Sequence, residues 1–431
     1  MKKTLNTKTP WLWVPTTFFM EGLPASMIML VLAIMYKNLG VSNLEITLYT
    51  GSMVLPWVIK PLWASLIDSI RTTRWWIYAM QIFVGLAFII MSLSLKTQHF
   101  LLFSLTAGWF IAFMSSSHDI ATDGFYIQNL SPEQQSYFIG MQSAAYNIGK
   151  VFATGLILML CGVLYSINND YVVSWSICLV LVGCVCIIMG IYHRKILPEQ
   201  PVSEKKNTKE TLRNFIDVYK TFFLIKNLWI GLAFIFLFKF SESMIGAILP
   251  LFMIDTHQNG GLNLGNTFTG FAYGTISPVA IILGGFVGGY YIYRKGFGST
   301  IYTMFVLVNL PHILYVLLAY FQVNDHIVVI LCVFVEQFSF SLGLTAAMLF
   351  CYFMVKDSSH KTAHYAFISG VLLLGRMIPV MISGAIESSV GYTMFFIITI
   401  ILALPVVLIL PKVKAMLGDY GKTHAKERKL G

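Results

Sequence analysis

The sequence predicts an all-α polytopic membrane protein: twelve transmembrane helices arranged as two halves of six. Three observations carry that prediction. The 431 residues are 57% hydrophobic and only 11% charged, against about 25% charged in a soluble domain, and the mean hydropathy is +0.74. Apolar runs of about 20 residues, the length needed to span a bilayer, recur along the whole chain. One long polar connection divides these runs into equal sets.

Taken in order, the runs are 11–36, 44–66, 74–95, 99–128, 136–164 and 170–192 in the first half. The second half holds 225–254, 266–293, 299–321, 327–354, 361–387 and 390–411. The first run, WLWVPTTFFMEGLPASMIMLVLAIMY, contains a single charge, Glu21. MKKTLNTKTP leads straight into it, without a short apolar core and small-residue cleavage site, so no cleaved signal peptide is expected. Between the sets lies HRKILPEQPVSEKKNTKETLRNFIDVYKTFFLIKN. The expected organisation is a six-helix half at 1–192, a basic linker at 193–226 with an amphipathic stretch near 210–223, a second half at 227–411, and a basic tail at 412–431.

An even number of spans puts both termini on one side. That side then receives 23 of the 29 basic residues, whereas the other receives only Lys37 and Lys96. The positive-inside rule makes the rich side cytoplasmic. The net charge of +10 is then topological and calls for no nucleic-acid partner. Both termini are therefore expected in the cytoplasm, with a monomer as the expected state.

The halves echo each other. Span five contains Gly149-Lys150 and span eleven Gly375-Arg376, a cation after a helix glycine in each. Two six-helix halves joined by a cytoplasmic linker are the pattern of a transporter whose halves rock about a central site, as in the major facilitator fold. Breakers such as Gly22-Leu23-Pro24, Pro56, Pro250, Pro278, Pro311 and Pro379 are tolerated at membrane depth where backbone is buried or lines a wet cavity. Gly284 and Gly288 have the small-residue spacing of helix packing.

Intramembrane charge is a functional signal by default. At about 1.5 Å per residue, Glu21 lies roughly 15 Å from its entry. Lys150, Lys239, Glu242, His312, Glu336 and Arg376 also fall in the middle third. Lys239 and Glu242, three apart, can pair on one helix face. Such a layer serves either as structural ion pairs or as the wall of a polar cavity for a hydrophilic solute. Its carboxylates can exchange protons, since low dielectric and neighbouring cations pull their titration in opposite directions. Lys60 lies about two turns from an interface and can snorkel. In SSSHDIATDGFY (115–126), Asp119 is about 28 Å and Asp123 about 34 Å along span four, at the cytoplasmic mouth of a core about 30 Å thick. Asp123 is expected to clasp Arg71 or Arg74, with Asp68 alongside, and Asp119 with His118 to relay protons.

No GxxxxGK[ST] loop is present, which argues against ATP-driven transport by this chain. HExxH, metal-spaced Cys/His sets and a GxSxG elbow are missing as well. Neither an enzyme nor a metal site is expected, and no cofactor besides the proton gradient. The six cysteines lie in apolar runs and read as packing residues.

The pieces EGLP (21–24), KPLWASLID (60–68), SSSHDIATD (115–123) with LSPEQQ (130–135), FKFSE (238–242), VEQFSFSLGLTAAM (335–348) and HYAFISGVLLLGR (364–376) give a resemblance. In order and spacing the chain resembles the AmpG-like muropeptide permeases, in the peptide/acetyl-CoA transporter branch of the major facilitator superfamily. The resemblance implies a proton-driven importer of anhydro-muropeptides (GlcNAc–anhydroMurNAc, with or without peptide) across the bacterial inner membrane, for cell-wall recycling. It matches Asp119 and Asp123 to the family's paired aspartates, and Lys239 and Glu242 to its span-seven pair. Proton coupling would then fall to Asp119, His118, Glu21, Glu242 and Glu336. Glu21, Lys150, Lys239, Glu242, His312, Glu336 and Arg376 would line the substrate cavity. His118 stands where Gln is usual, and Lys150 replaces the commoner Arg. A siderophore, acetyl-CoA or another anionic solute is the alternative cargo. A receptor that binds cell-wall fragments without transport is the alternative class.

Overall fold

In the computed structural model, residues 8–60, 62, 63, 67, 71–199, 219–358, 360–420 and 422 are described. Among them the regular structure is all helical. Ten helices are long and apolar enough to cross a membrane. In chain order the helices are α1 (Pro10–Asn38), α2 (Asn43–Ser52), α3 (Leu55–Ile59), α4 (Thr73–Ser94), α5 (Phe100–Asn129) and α6 (Met141–Asn168, its first turn beginning at Pro132). They continue as α7 (Tyr171–Ile196), α8 (Leu228–Ile254), α9 (Gly265–Lys295), α10 (Phe297–Phe321), α11 (His326–Val355) and α12 (Phe367–Leu417).

The short α2 and α3 are the described part of the run expected at 44–66. The long α12 holds the two runs expected at 361–387 and 390–411. Gly391, at φ 75° and ψ 168°, breaks its helical geometry, a conformation open to glycine because it has no Cβ. The amphipathic stretch expected near 210–223 lies largely outside the described residues, as do Asp68 and half of the tail.

Local chemistry sets the helix starts. Thr72 accepts a hydrogen bond from the Trp75 amide at the head of α4. Ser131 and Gln134 form a reciprocal capping box before α6. Asp170 accepts from the amides of Val172 and Val173, and Asp325 from those of Ile327 and Val328. Each satisfies amides that a helix start leaves without partners, so these two carboxylates serve as caps.

By packing, the chain divides into two units. The first comprises 1–42, 49–206 and 265–275; the second 43–48, 207–264 and 276–431. Unit 1 holds α1, the end of α2, α3 to α7 and the head of α9; unit 2 holds the head of α2, α8, the rest of α9 and α10 to α12. In unit 1 the core joins Trp13 to Phe125 and Tyr126, edge to face at 5.0 and 6.5 Å between centroids. In unit 2, Phe234 and Phe350 pack at 4.6 Å within an aromatic core. Leu93, Ile167, Phe286 and Leu408 are mostly exposed, as helices facing hydrocarbon allow.

Two glycine crossings position the charges. A Cβ on Gly22 would fall 2.1 Å from the Tyr146 carbonyl oxygen, and one on Gly149 would fall 2.3 Å from that of Phe19. Side-chain-free backbone therefore brings α1 and α6 into contact beside Glu21 and Lys150. In unit 2, a Cβ on Gly284 would fall 2.2 Å from the Phe338 carbonyl, which seats α9 on α11 as its small-residue spacing predicts.

Candidate functional site: two buried charge clusters

Among the described residues of unit 1, three carboxylates lie within electrostatic reach of one lysine. Glu21 on α1 is buried, and Asp119 and Asp123 on α5 lie within electrostatic reach of it and of Lys60, which follows α3. Four residues apart, the two aspartates share a helix face, but their settings differ. Asp119 is half-buried and takes a 2.7 Å hydrogen bond from the Trp57 indole nitrogen on its Oδ2. Asp123 is exposed. Glu21 Oε1 and Asp119 Oδ1 are buried with no hydrogen-bond partner among the described residues. A buried acceptor left without a partner is costly.

Asp123 meets neither arginine of the expected clasp among the described residues. Arg74 donates to the Arg194 carbonyl at 2.7 Å and lies 3.5 Å from Glu199, while Arg71 is exposed. The cation facing Asp123 is Lys60.

His118 points elsewhere than its sequence neighbour. Its Nε2 accepts from Gln81 at 2.8 Å. The Gln81 carbonyl in turn accepts from His193 Nδ1 at 2.7 Å, and the Thr16 hydroxyl donates to His193 Nε2 at 2.8 Å. This buried polar chain crosses four helices, α5, α4, α7 and α1. Gln81 and His193 escaped notice in the sequence. A lone glutamine inside an otherwise apolar run was the available signal.

Unit 2 contains a buried ion pair. Lys239 and Glu242, both buried, form an ion pair. Its location follows from a break inside α8. Lys239, at φ −102° and ψ 2°, ends one helical stretch and precedes the next, and Pro250 interrupts the ladder further along. The Lys239 ammonium lies 4.2 Å from the centroid of the Phe340 ring on α11, one turn from Glu336 on the same face. Glu336 is buried and accepts from Gln337 at 2.5 Å, and Ser277 donates to Gln337 at 2.7 Å. His312, buried just after Pro311, has Nδ1 3.4 Å from the Ser241 hydroxyl and leaves Nε2 without a partner among the described residues. Lys150 is half-buried and Arg376 is exposed.

A second network in unit 2 had no sequence forecast. The Asn43 amide donates to Glu387 at 2.7 Å and to the Tyr392 hydroxyl at 2.9 Å, and that hydroxyl donates to Asp255 at 2.8 Å. All four residues are buried. Among the described residues no group of three His, Cys, Asp or Glu could hold a metal. The cysteines are free, with Cys184 exposed.

A profile of the Major Facilitator Superfamily matches residues 16–360. The chain belongs to the Major Facilitator Superfamily. Among its relatives in this superfamily is the protein named "Putative transporter AmpG 4" of Rickettsia conorii, 26% identical over 410 residues, which cover 90% of this chain and 93% of the relative. The fold recurs in an inward-facing, unoccupied crystal structure of a bacterial homologue of the human lysosomal transporter Spinster. There the TM-score is 0.70 at 13% identity, covering 94% and 96% of the two chains. It recurs in a point mutant of the nucleoside transporter NupG, with a TM-score of 0.68 at 14% identity and 95% and 99% covered. The chain is thus a multi-pass membrane transporter of the major facilitator type, similar to proteins named AmpG. Family and fold point away from an enzyme.

Proposed function

We propose that this transporter imports anhydro-muropeptides across the bacterial inner membrane, driven by the proton gradient and feeding cell-wall recycling, with both termini in the cytoplasm. The observation that carries the coupling is the cluster of Glu21 and Asp119, each with a buried open oxygen, beside Asp123 and one lysine. Three carboxylates near one cation form a group in which one proton more or less changes the charge balance. Glu21 and Asp119 take that proton, and His118 holds α5 to α4 beside them.

On the same reading, Lys239 with Glu242, His312 and Glu336 contact the solute. A buried ammonium on an aromatic face suits a carboxylate-bearing, sugar-containing cargo. Arg376 supplies a further cationic contact. Asp123 exchanges partners between Lys60 and the Arg71, Arg74 and Asp68 group as access alternates. The resemblance to the AmpG-like permeases supports the muropeptide as cargo. No cofactor is called for.

The deciding experiment is uptake of labelled anhydro-muropeptide into proteoliposomes under an imposed pH gradient. Accumulation that collapses with a protonophore is expected. Accumulation indifferent to the gradient overturns the coupling. Saturable binding without accumulation replaces transport by the receptor reading. Accumulation of a siderophore or acetyl-CoA with no muropeptide uptake replaces the cargo.

A further inference from the structure

A cavity of about 850 Å³ opens on unit 2 at the ends of its helices, where the described chain resumes before α8. Its inner wall is a rigid polar tie. His364 is buried, with Nδ1 2.6 Å from the Ser358 hydroxyl and Nε2 3.2 Å from that of Thr221. Both ring nitrogens are engaged, so the histidine fixes the wall and is not itself the ligand-binding group. The charged lining is Lys226 and Lys356 against one carboxylate, Asp357. Both lysines are exposed. The Lys356 ammonium is held 4.4 Å from the centroid of the Phe353 ring, itself part of the lining.

One side of the cavity is apolar and open. Leu224 lines it while 80% exposed, and Phe223 and Trp229 beside it are 57% and 70% exposed, their rings 6.3 Å apart. These residues flank the first turn of the spanning helix α8, and Lys356 follows the last residue of α11. The cavity therefore lies at the level of a membrane interface, where aromatic residues collect. Two ammonium groups beside an apolar exit at that level are the elements of headgroup recognition.

We propose that this cavity binds a phosphate group carried on an apolar body, the head of an anionic phospholipid, with Lys226 and Lys356 as the phosphate ligands and Leu224 beneath the acyl chain. Occupancy would brace the end of the long connection, through Thr221, against α11 and α12. Neither the proposed cargo nor proton coupling enters this inference.

The test uses the purified full chain, delipidated in detergent, with native mass spectrometry and thermal unfolding as readouts. The probes are phosphatidylglycerol, phosphatidylcholine and soluble glycerol 3-phosphate. Phosphatidylglycerol is expected to bind and stabilise, phosphatidylcholine to bind more weakly. The K226Q/K356Q double variant should lose affinity by on the order of tenfold or more, while K226R/K356R retains it, which separates lost charge from lost folding. Glycerol 3-phosphate binding as tightly as the lipid, and lost in the same variant, assigns the site to a soluble phosphate. Equal binding of phosphatidylglycerol by the parent and the K226Q/K356Q variant, or no binding of any probe, overturns the proposal.

Discussion

Lys60 in unit 1 and Lys239 in unit 2 meet their carboxylates in opposite ways. Unit 1 sets Glu21, Asp119 and Asp123 within electrostatic reach of Lys60, and among the described residues an oxygen of each of the first two has no hydrogen-bond partner. Unit 2 matches Lys239 with Glu242 one helical turn away and lays the ammonium on Phe340. An unbalanced cluster can change its proton content at modest cost, whereas a closed pair resists change because removing either partner strands a charge. The difference assigns the proposed proton exchange to unit 1 and the proposed solute contact to unit 2. It also separates variants that should alter coupling from variants that should alter stability.

The largest expected effect tests the unit 1 side. Glu21→Gln or Asp119→Asn should reduce gradient-driven accumulation to the passive level yet spare solute counterflow, both measured in proteoliposomes. Retained accumulation in both variants would break the comparison. Next comes the unit 2 pair. Glu242→Gln should lower unfolding stability by about 3–5 kcal/mol, since it leaves the Lys239 ammonium buried and unpaired, and the Lys239→Met, Glu242→Met double variant should recover most of it. Chemical unfolding in detergent reads both. If the single variant is as stable as the parent, the pair is not the closed element described here.

A smaller effect sharpens the role of His118. Gln81→Leu removes the bridge between His118 and His193 and should cost about 1–3 kcal/mol for the polar groups left open, with coupling retained. A change in the proton-to-solute ratio would instead draw the histidine chain into the relay. Smallest of all, Asp123→Asn should leave stability within about 0.5 kcal/mol, as for other exposed substitutions. Its proposed effect is on the inward–outward balance, readable by cysteine accessibility on either side of the membrane. Lost solute binding with an unchanged balance would remove Asp123 from the gate.

How far the site could be read from the sequence varied with the range of the interaction. Lys239 and Glu242 were legible as a pair because three residues along a helix bring side chains together whatever surrounds them. Asp119 and Asp123 were likewise legible as sharing a face. Their partners were not. Trp57, Lys60 and Glu21 come from two other helices, and nothing local to SSSHDIATD selects Lys60 over Arg71 or Arg74. His118 reads as part of a relay from its place beside Asp119, but successive side chains on a helix point about 100° apart, and the ring turns to Gln81 instead.

By itself the sequence determined the class and the apolar helical runs. Each of these follows from how hydrocarbon sorts residues along the chain, a one-dimensional property. Tertiary structure alone decided which charges meet and which atoms stay open. It likewise decided that Asn43, Glu387, Tyr392 and Asp255 form one network and that two lysines flank a cavity. Those outcomes depend on helix crossings such as Gly22 on Tyr146 and Gly284 on Phe338, where backbone contact sets the rotation and depth of each helix. A shift of one residue there would present a different face to every neighbour.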